Sequence, residues 1–184
     1  MKKLAIVASI VAALGSVSAV QAASTGTITF NGTLTSSTCS AAVDGKSASE
    51  AVKLPTIGVD QLASANLTQG RTGFNINLTG CTGDVQKSVS AYFESGTTVD
   101  NNTGRLINTL SGTGAAKFVE LQLLDGLGDQ NVIKAGNISQ QLGTTYVDAS
   151  SGTATLPYLV QYYSTGTAEA GEVSSSVVYS LQYK

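Results

Sequence analysis

Strict alternation of apolar and polar residues over short segments is the feature of this sequence that most limits its possible folds. In residues 74–81, for example, Phe74, Ile76 and Leu78 fall on one side of an extended chain. Similar segments recur between glycine-rich turns, and none has the longer period of an amphipathic helix. The pattern predicts an all-β domain, and about seven or more such strands favour a β-sandwich.

The individual strands are predicted from this alternation and from the turns that separate it. Residues 61–69 are interpreted as a short helical or irregular crossing. Residues 131–134 are expected to pair with the preceding strand across the Asp125-Gly126 turn. The predicted strands of the sandwich are 51–57, 74–81, 85–93, 106–110, 118–124, 131–134, 153–164 and 173–183.

The first 22 residues have the composition of a secretory signal peptide. Lys2 and Lys3 precede an apolar stretch, and small residues lead to a cleavage position after Ala22, with Ala23 as the alternative. The stretch is short and interrupted by serine and glycine, which argues against a membrane anchor. Cleavage leaves about 160 residues, enough for one domain with its own core.

The charge of the chain limits its possible binding partners, and its cysteine content indicates the cellular compartment. After removal of Lys2 and Lys3, eight basic residues stand against twelve acidic ones, a net charge of −4, with no basic run. We therefore expect no nucleic-acid partner and no binding to anionic membranes. Cys39 and Cys81 are the only two cysteines, and in an exported chain they are expected to be paired.

The residues needed for common enzyme and metal sites are scarce. The chain has no histidine, which excludes Ser-His-Asp and Cys-His catalysis and ordinary zinc sites. Asp125 and Asp129 flank a glycine loop that lacks the acidic ladder of a calcium site, so we interpret it as a turn. A carboxylate pair for glycoside hydrolysis stays open at this level. We expect no catalysis, metal or cofactor.

Both ends of the predicted mature chain carry an amphipathic strand. At the N-terminus, Ile28, Phe30 and Leu34 share one side with Gly32 between them, and no turn signal supplies an adjacent partner. The C-terminal residues alternate to the end of the chain. An uncovered apolar edge promotes aggregation, so an exported protein must cover it. The residues on one face of the C-terminal strand are Val173, Ser175, Val177, Tyr179, Leu181 and Tyr183.

A series of motifs follows a fixed order along the chain. GTITFNG precedes the first cysteine, and VKLPTIGVDQL, GFNINLTGC around the second cysteine and LPYLVQYYSTG follow it. The series finishes with Gly171, fourteenth from the end, and Tyr183, next to last. Together and in this order, the motifs resemble the structural pilins of the bacterial chaperone–usher pathway and are similar to the major subunit of type 1 fimbriae. The resemblance covers essentially the whole chain after residue 22.

The resemblance implies an incomplete immunoglobulin-like β-sandwich that a donor strand from a neighbouring subunit completes. Residues 23–36 would be the donor extension and residues 37–184 the pilin domain. The implied donor positions are Ile28, Phe30, Gly32 and Leu34. The implied acceptor groove is lined by the C-terminal strand at Gly171, Val173, Val177, Tyr179, Leu181 and Tyr183.

The same resemblance implies the partners and the location of the protein. The subunit would be carried by a periplasmic chaperone, delivered to an outer-membrane usher and joined to neighbouring subunits in a surface fimbria that supports adhesion or biofilm formation. A minor adaptor pilin or a secreted β-sandwich adhesin is the alternative. The extension before Gly26 is a few residues shorter than in familiar major pilins, which affects how the donor strand reaches the far end of the groove.

Overall fold

The computed structural model describes residues 27–34, 36, 38–83 and 88–184. The predicted signal peptide, residues 1–22, lies outside the described residues. Residues 27–33 are described apart from the compact unit formed by residues 34–184. Within the described part of the chain, no helix is long and apolar enough to cross a membrane.

The regular structure of the compact unit is almost entirely β-strand. The strands are β1 (Thr38–Val43), β2 (Thr68–Thr82), β3 (Val89–Phe93), β4 (Leu106–Ile107), β5 (Lys117–Asp125), β6 (Val132–Ile133), β7 (Thr153–Glu169) and β8 (Tyr179–Tyr183). A 3₁₀-helix (Val59–Leu62) precedes β2, and a short helix α1 (Ser139–Gly143) precedes β7.

The larger sheet has the strand order β1-β2-β7-β5-β4, and β6 pairs with the free part of β5. All of these pairs are antiparallel. Their alternation places one side of each long strand in the core, so Ile76 of β2 lies opposite Leu156 of β7 and both are buried. Among the described residues, the second sheet contains β3 and β8 alone, and Ala91 pairs with Leu181.

Tyr158 of β7 joins the two sheets across the core. Its side chain is only 2% exposed, and its hydroxyl accepts a hydrogen bond of 2.9 Å from the Ala91 N–H of β3. Its ring meets Phe93 edge-on at 5.0 Å between centroids and lies 5.8 Å from the Phe74 ring. One residue therefore supplies aromatic packing and an acceptor for a backbone N–H between the sheets.

Cys39 of β1 forms a disulfide with Cys81 of β2, with the Cα atoms 4.1 Å apart. The bond lies beside an irregularity in the β1–β2 pairing between Thr38 and Ser40. It closes a loop with a sequence separation of 42. Restricting such a loop in the unfolded chain stabilises the fold by about 4 kcal/mol in the loop-entropy model.

The Asp125-Gly126 turn is held by the aspartate side chain. One carboxylate oxygen of Asp125 accepts a 2.9 Å hydrogen bond from the Leu127 N–H, and the other accepts a 2.7 Å bond from the Thr145 N–H. Both oxygens therefore fix local backbone, as expected of a turn residue. The predicted pairing across this turn is confirmed, because Leu123 lies opposite Ile133.

The remaining strand predictions differ in accuracy. Residues 74–81, 118–124 and 153–164 lie within β2, β5 and β7, and the described part of 85–93 contains β3. Two strands are shorter than predicted, because only β4 forms within residues 106–110 and only β8 forms within residues 173–183. The helix α1 was not predicted. The crossing predicted at 61–69 begins in the 3₁₀-helix and ends where β2 starts at Thr68.

The prediction of a strand at 51–57 is wrong, because these residues are assigned no regular structure. A strand is defined by a ladder of hydrogen bonds as well as by an extended chain. Residues 51–57 and 173–178 have the alternation of strands, yet the described residues offer neither of them a regular ladder. Alternation alone cannot reveal whether a partner strand is present.

Ionisation of Tyr158 should unfold the domain at alkaline pH. Burial raises the pKa of Tyr158 to about 12, whereas an unfolded tyrosine titrates near 10. The stability that depends on the neutral phenol is therefore complete below pH 10 and is lost as the pH rises to 12, by roughly 3 kcal/mol. Denaturant unfolding between pH 8 and 12 measures this loss.

The matched variants are Tyr158→Phe and Tyr92→Phe, since Tyr92 lies on the opposite face of β3. Tyr158→Phe should remove much of the alkaline loss and cost about 1–3 kcal/mol at neutral pH, because the buried Ala91 N–H loses its acceptor. Tyr92→Phe should leave both quantities unchanged. Equal pH profiles for the wild type and Tyr158→Phe would contradict this assignment.

Candidate functional site

In the described part of the chain, β8 pairs with β3 alone. Its even-numbered residues bond toward β3: the Val178 C=O accepts from the Glu94 N–H at 2.8 Å, and the Lys184 N–H donates to the Ser88 C=O at 3.0 Å. Successive residues of a strand direct their backbone groups to opposite edges. The backbone groups of the odd-numbered residues of β8 therefore point to an edge where no strand is described.

The same geometry continues before β8. The Glu172 C=O accepts from the Ala116 N–H at 3.0 Å, and the Ser174 C=O accepts from the Thr109 N–H at 2.8 Å. The even-numbered residues again direct their backbone groups into the domain. The backbone groups of Val173 therefore point to the same outer edge as those of the odd-numbered residues of β8. We call residues 171–183 the first wall of the groove.

The side chains of the first wall are divided by the same alternation. The even-numbered residues 174, 176, 178 and 180 are exposed, and Val178 is 70% exposed. The odd-numbered side chains are half-buried. The apolar residues of the first wall that pack on the core are Val173, Val177, Tyr179, Leu181 and Tyr183.

Residues 51–57, which we call the second wall, form another extended border against the core. Val52, Leu54 and Ile57 are half-buried there, and the Tyr162 hydroxyl donates a 3.2 Å hydrogen bond to the Pro55 C=O. Sequence reasoning placed this segment inside the sandwich as a strand. The alternation in VKLPTI is the signal that marks its core-facing side.

Two tyrosines of β8 reach to residues before the second wall. The Tyr179 hydroxyl donates a 3.0 Å hydrogen bond to the Ala48 C=O. The Tyr183 hydroxyl lies against the backbone of Cys39 in β1. Burial raises the pKa of both tyrosines, so the neutral phenols are favoured. Large side chains therefore occupy this end of the groove.

The other end of the groove is wide. A cavity of about 790 Å³ opens there, beside a small apolar cluster of Leu62, Val119 and Ala168 that is separate from the main core. Ile57 of the second wall and Val173 of the first wall also line it. The cavity has a mainly apolar lining, which suits a large apolar side chain.

Gly171 marks the start of the first wall at the wide end. A Cβ added there would lie 2.3 Å from the Ala116 nitrogen and 2.4 Å from the Ala115 carbonyl carbon. The Glu172 N–H also donates to the Gly114 C=O at 2.7 Å. A glycine is needed because two backbones touch, a reason that the sequence could not show.

The four predicted donor residues lie outside regular structure. No strand is assigned within residues 27–34, and the side chains of Ile28, Phe30 and Leu34 are 77%, 87% and 102% exposed. A Cβ added to Gly32 would meet no atom within 4 Å. Three large apolar side chains are thus solvent-exposed on one alternating segment.

The groove carries little chemistry beyond its shape and its unpaired backbone. The described residues contain no group of three or more side chains arranged to hold a metal ion. The Oγ of Ser175, on the first wall, is buried and has no hydrogen-bond partner among the described residues. The arrangement is suited to accept an extended peptide along the edge of β8.

Comparison with known proteins gives a consistent result. The family model for type-1 fimbrial protein A matches residues 54–184. The major fimbrial subunit SMF-1 of Stenotrophomonas maltophilia is 43% identical over 163 residues, which cover 88% of this chain and 94% of that protein. The type-1 fimbrial protein A chain of Escherichia coli is 32% identical over 188 residues, covering 100% of this chain and 99% of that one.

A solved structure supports the fold assignment. A chain from a chaperone–usher pilus matches with a TM-score of 0.57 at 18% identity, covering 89% of this chain and 98% of that chain. The likeness confirms the predicted fold, an incomplete immunoglobulin-like sandwich.

Gly171→Ala should destabilise the domain, because the added methyl group collides with backbone that cannot move aside. We expect a loss of about 1–3 kcal/mol in the free energy of unfolding, as in overpacked sites. Gly96→Ala is the matched control, since a Cβ at Gly96 meets nothing within 4 Å. Denaturant unfolding measures both, and equal effects would show that the close approach at Gly171 does not matter.

Proposed function

Because the chain belongs to the type-1 fimbrial protein family, we propose that it polymerises by inserting its N-terminal extension, residues 23–36, into the groove of a neighbouring copy. Members of this family are structural subunits of cell-surface fimbriae, and the family is not an enzyme family. The inserted extension would add the missing strand beside β8.

The unpaired edge of the first wall is the observation that carries the proposal. Backbone N–H and C=O groups are strong donors and acceptors that require partners when they are shielded from water. Along residues 173–183, alternate residues direct these groups to the edge where no strand is described, above half-buried apolar side chains. An added strand would pair the backbone and cover the side chains at once.

The extension has the complementary pattern. Ile28, Phe30 and Leu34 are exposed and share one side of the segment. Burying each of these side chains is worth roughly 1.5–3 kcal/mol before the cost of ordering the segment. Gly32 interrupts the apolar series and would allow close backbone approach where a side chain would not fit.

Shape favours one direction for the inserted strand. The wide cavity suits Leu34, whereas the tyrosine-filled end suits Gly26 and the small residues before it. This direction is antiparallel to β8, and antiparallel pairs are the more common kind. With Leu34 beside Val173, the two-residue repeat also places Gly32 beside Ser175, whose hydroxyl lacks a partner among the described residues.

The open edge of the groove is also a reason why export would require accessory proteins. Until a neighbouring copy arrives, the edge of the first wall would be open to aggregation. The resemblance supports a periplasmic chaperone that covers this edge and an outer-membrane usher where the extension of the next subunit replaces it. Each copy would then donate at one end and accept at the other. Such a head-to-tail contact does not close, so a filament results.

Leu181→Asp should abolish assembly, because a charge on the groove-facing side of β8 cannot be buried under an inserted strand. Val178→Asp is the matched control, since Val178 is 70% exposed on the opposite side. Surface fibres counted by electron microscopy should be absent for the first variant and near normal for the second. Equal loss of fibres would show that the assigned register of β8 is wrong.

Moving the extension to the other end of the chain should produce a self-complemented monomer. Residues 23–35 are deleted from the N-terminus and attached after Lys184. A strand antiparallel to β8 would begin near Lys184, so a linker of about four residues is sufficient. A parallel strand would need a linker that spans residues 173–183, about 33 Å. The short-linker graft should fold without a chaperone and remain monomeric.

Thermal unfolding and size-exclusion chromatography compare the graft with the deletion alone. The effective concentration of a tethered strand is in the millimolar range, so occupancy should be nearly complete. Replacing Gly32 in the graft by leucine should remove much of the gain, whereas Asn31→Ser should cost little. A deletion that is itself a stable monomer would overturn the mechanism. A graft that needs the long linker would overturn only the direction.

A further inference from the structure

We propose that the mouth of the wide cavity is a second contact surface between neighbouring subunits, formed by Val59, Leu110 and Phe118, which we call the cavity rim. This inference rests on the proposed strand insertion. Val59 and Leu110 line the cavity yet are 44% and 40% exposed. Phe118 is 52% exposed and lies next to Val119, which also lines the cavity.

Phe118 is held at the cavity rim by an unusual backbone conformation. Its φ is +58°, in the left-handed region that bulky residues rarely adopt. It lies at an irregularity in the β5–β7 pairing between Lys117 and Val119, a feature that redirects a side chain. An added Cβ on Gly166 would lie 3.4 Å from the Phe118 ring, so the ring rests on the β7 backbone. Such strain clusters at functional positions.

The length of the connection identifies the occupant as a second copy of this chain. If Leu34 of the donating copy fills the cavity, its β1 begins only four residues later, at Thr38. Four residues reach about 14 Å when fully extended. The domain of the donating copy must therefore lie directly over the cavity, and the cavity rim is the accepting surface around that point.

The part of the donating copy that meets the cavity rim follows from the same restriction. Thr38 pairs with Thr82 of β2, and their hydroxyl oxygens are 3.2 Å apart. The surface around Thr38, Thr82 and Gly83 is thus where the chain passes from its own extension into the domain. Contact of this surface with the cavity rim would fix the angle between successive domains, which a short linking segment alone would leave free.

Site-specific photocrosslinking within fibres of the full chain tests the contact. The photoreactive residue p-benzoylphenylalanine replaces Phe118, whose ring it resembles, in one variant. A second variant carries it at Asn31, on the outer side of the extension, to report on strand insertion. A third carries it at Leu142, which is 84% exposed and does not line the cavity, as a control.

The expected result is an intermolecular crosslink from position 118, several-fold stronger than from position 142, that maps to the region around residues 38 and 82–83 of another copy. Position 31 should capture residues 174–180 of another copy. Capture from position 31 without capture from position 118 would overturn the cavity-rim contact alone. Failure at position 31 in intact fibres would overturn the proposed function and the contact together.

Phe118→Asn provides a second readout, because asparagine tolerates the left-handed conformation and removes the exposed ring. The short-linker graft that carries Phe118→Asn should unfold at an unchanged or higher denaturant concentration than the graft alone, whereas full-chain fibres of the variant should bend several-fold more easily in electron micrographs. Leu142→Asn should alter neither property. Fibres of Phe118→Asn with wild-type stiffness would overturn the role of the cavity rim.

Discussion

The edge of β8 that meets no partner strand among the described residues is the constraint on which the rest of this structure depends. A strand edge must be paired, covered, or protected by charged residues, proline or a bulge, since it otherwise pairs with other extended chains. Here the edge runs beside half-buried apolar side chains. Water could hydrogen-bond to the backbone groups of this edge, but it would leave those apolar side chains uncovered. The two-stranded sheet of β3 and β8 is consequently incomplete as it stands, and an added strand would serve the backbone and the core together.

Several contacts within the domain hold the elements that border the groove. Tyr158 links the small sheet to the large one by an aromatic contact and a backbone hydrogen bond. The disulfide of Cys39 fixes β1 on β2, close to where the extension enters the domain. The Tyr162 hydroxyl donates to the Pro55 C=O in the second wall, and the Tyr179 hydroxyl donates to the Ala48 C=O just before it. All of these contacts are made between described residues of the compact unit.

The unequal ends of the groove give the proposed assembly a direction. Tyrosine side chains fill one end, and a cavity of about 790 Å³ opens at the other. The extension is unequal in the opposite sense, since small residues precede Ile28 and Leu34 ends the apolar series. In the proposed assembly, the large side chain of Leu34 lies at the wide end of the groove, and the small residues before Ile28 lie at the tyrosine-filled end. The short segment before Thr38 would then bring the two domains together at the cavity rim.

The sequence alone determined the fold class and the strands with buried, alternating faces, because a period of two is a local property of the chain. It also marked the two amphipathic ends and the cysteine pair. Only the tertiary structure decided that residues 51–57 are a groove wall and not a paired strand, since pairing depends on distant residues. The same holds for Gly171, where a side chain would collide with the backbone of Ala115 and Ala116. It also holds for the cavity, which forms only where segments remote in sequence meet.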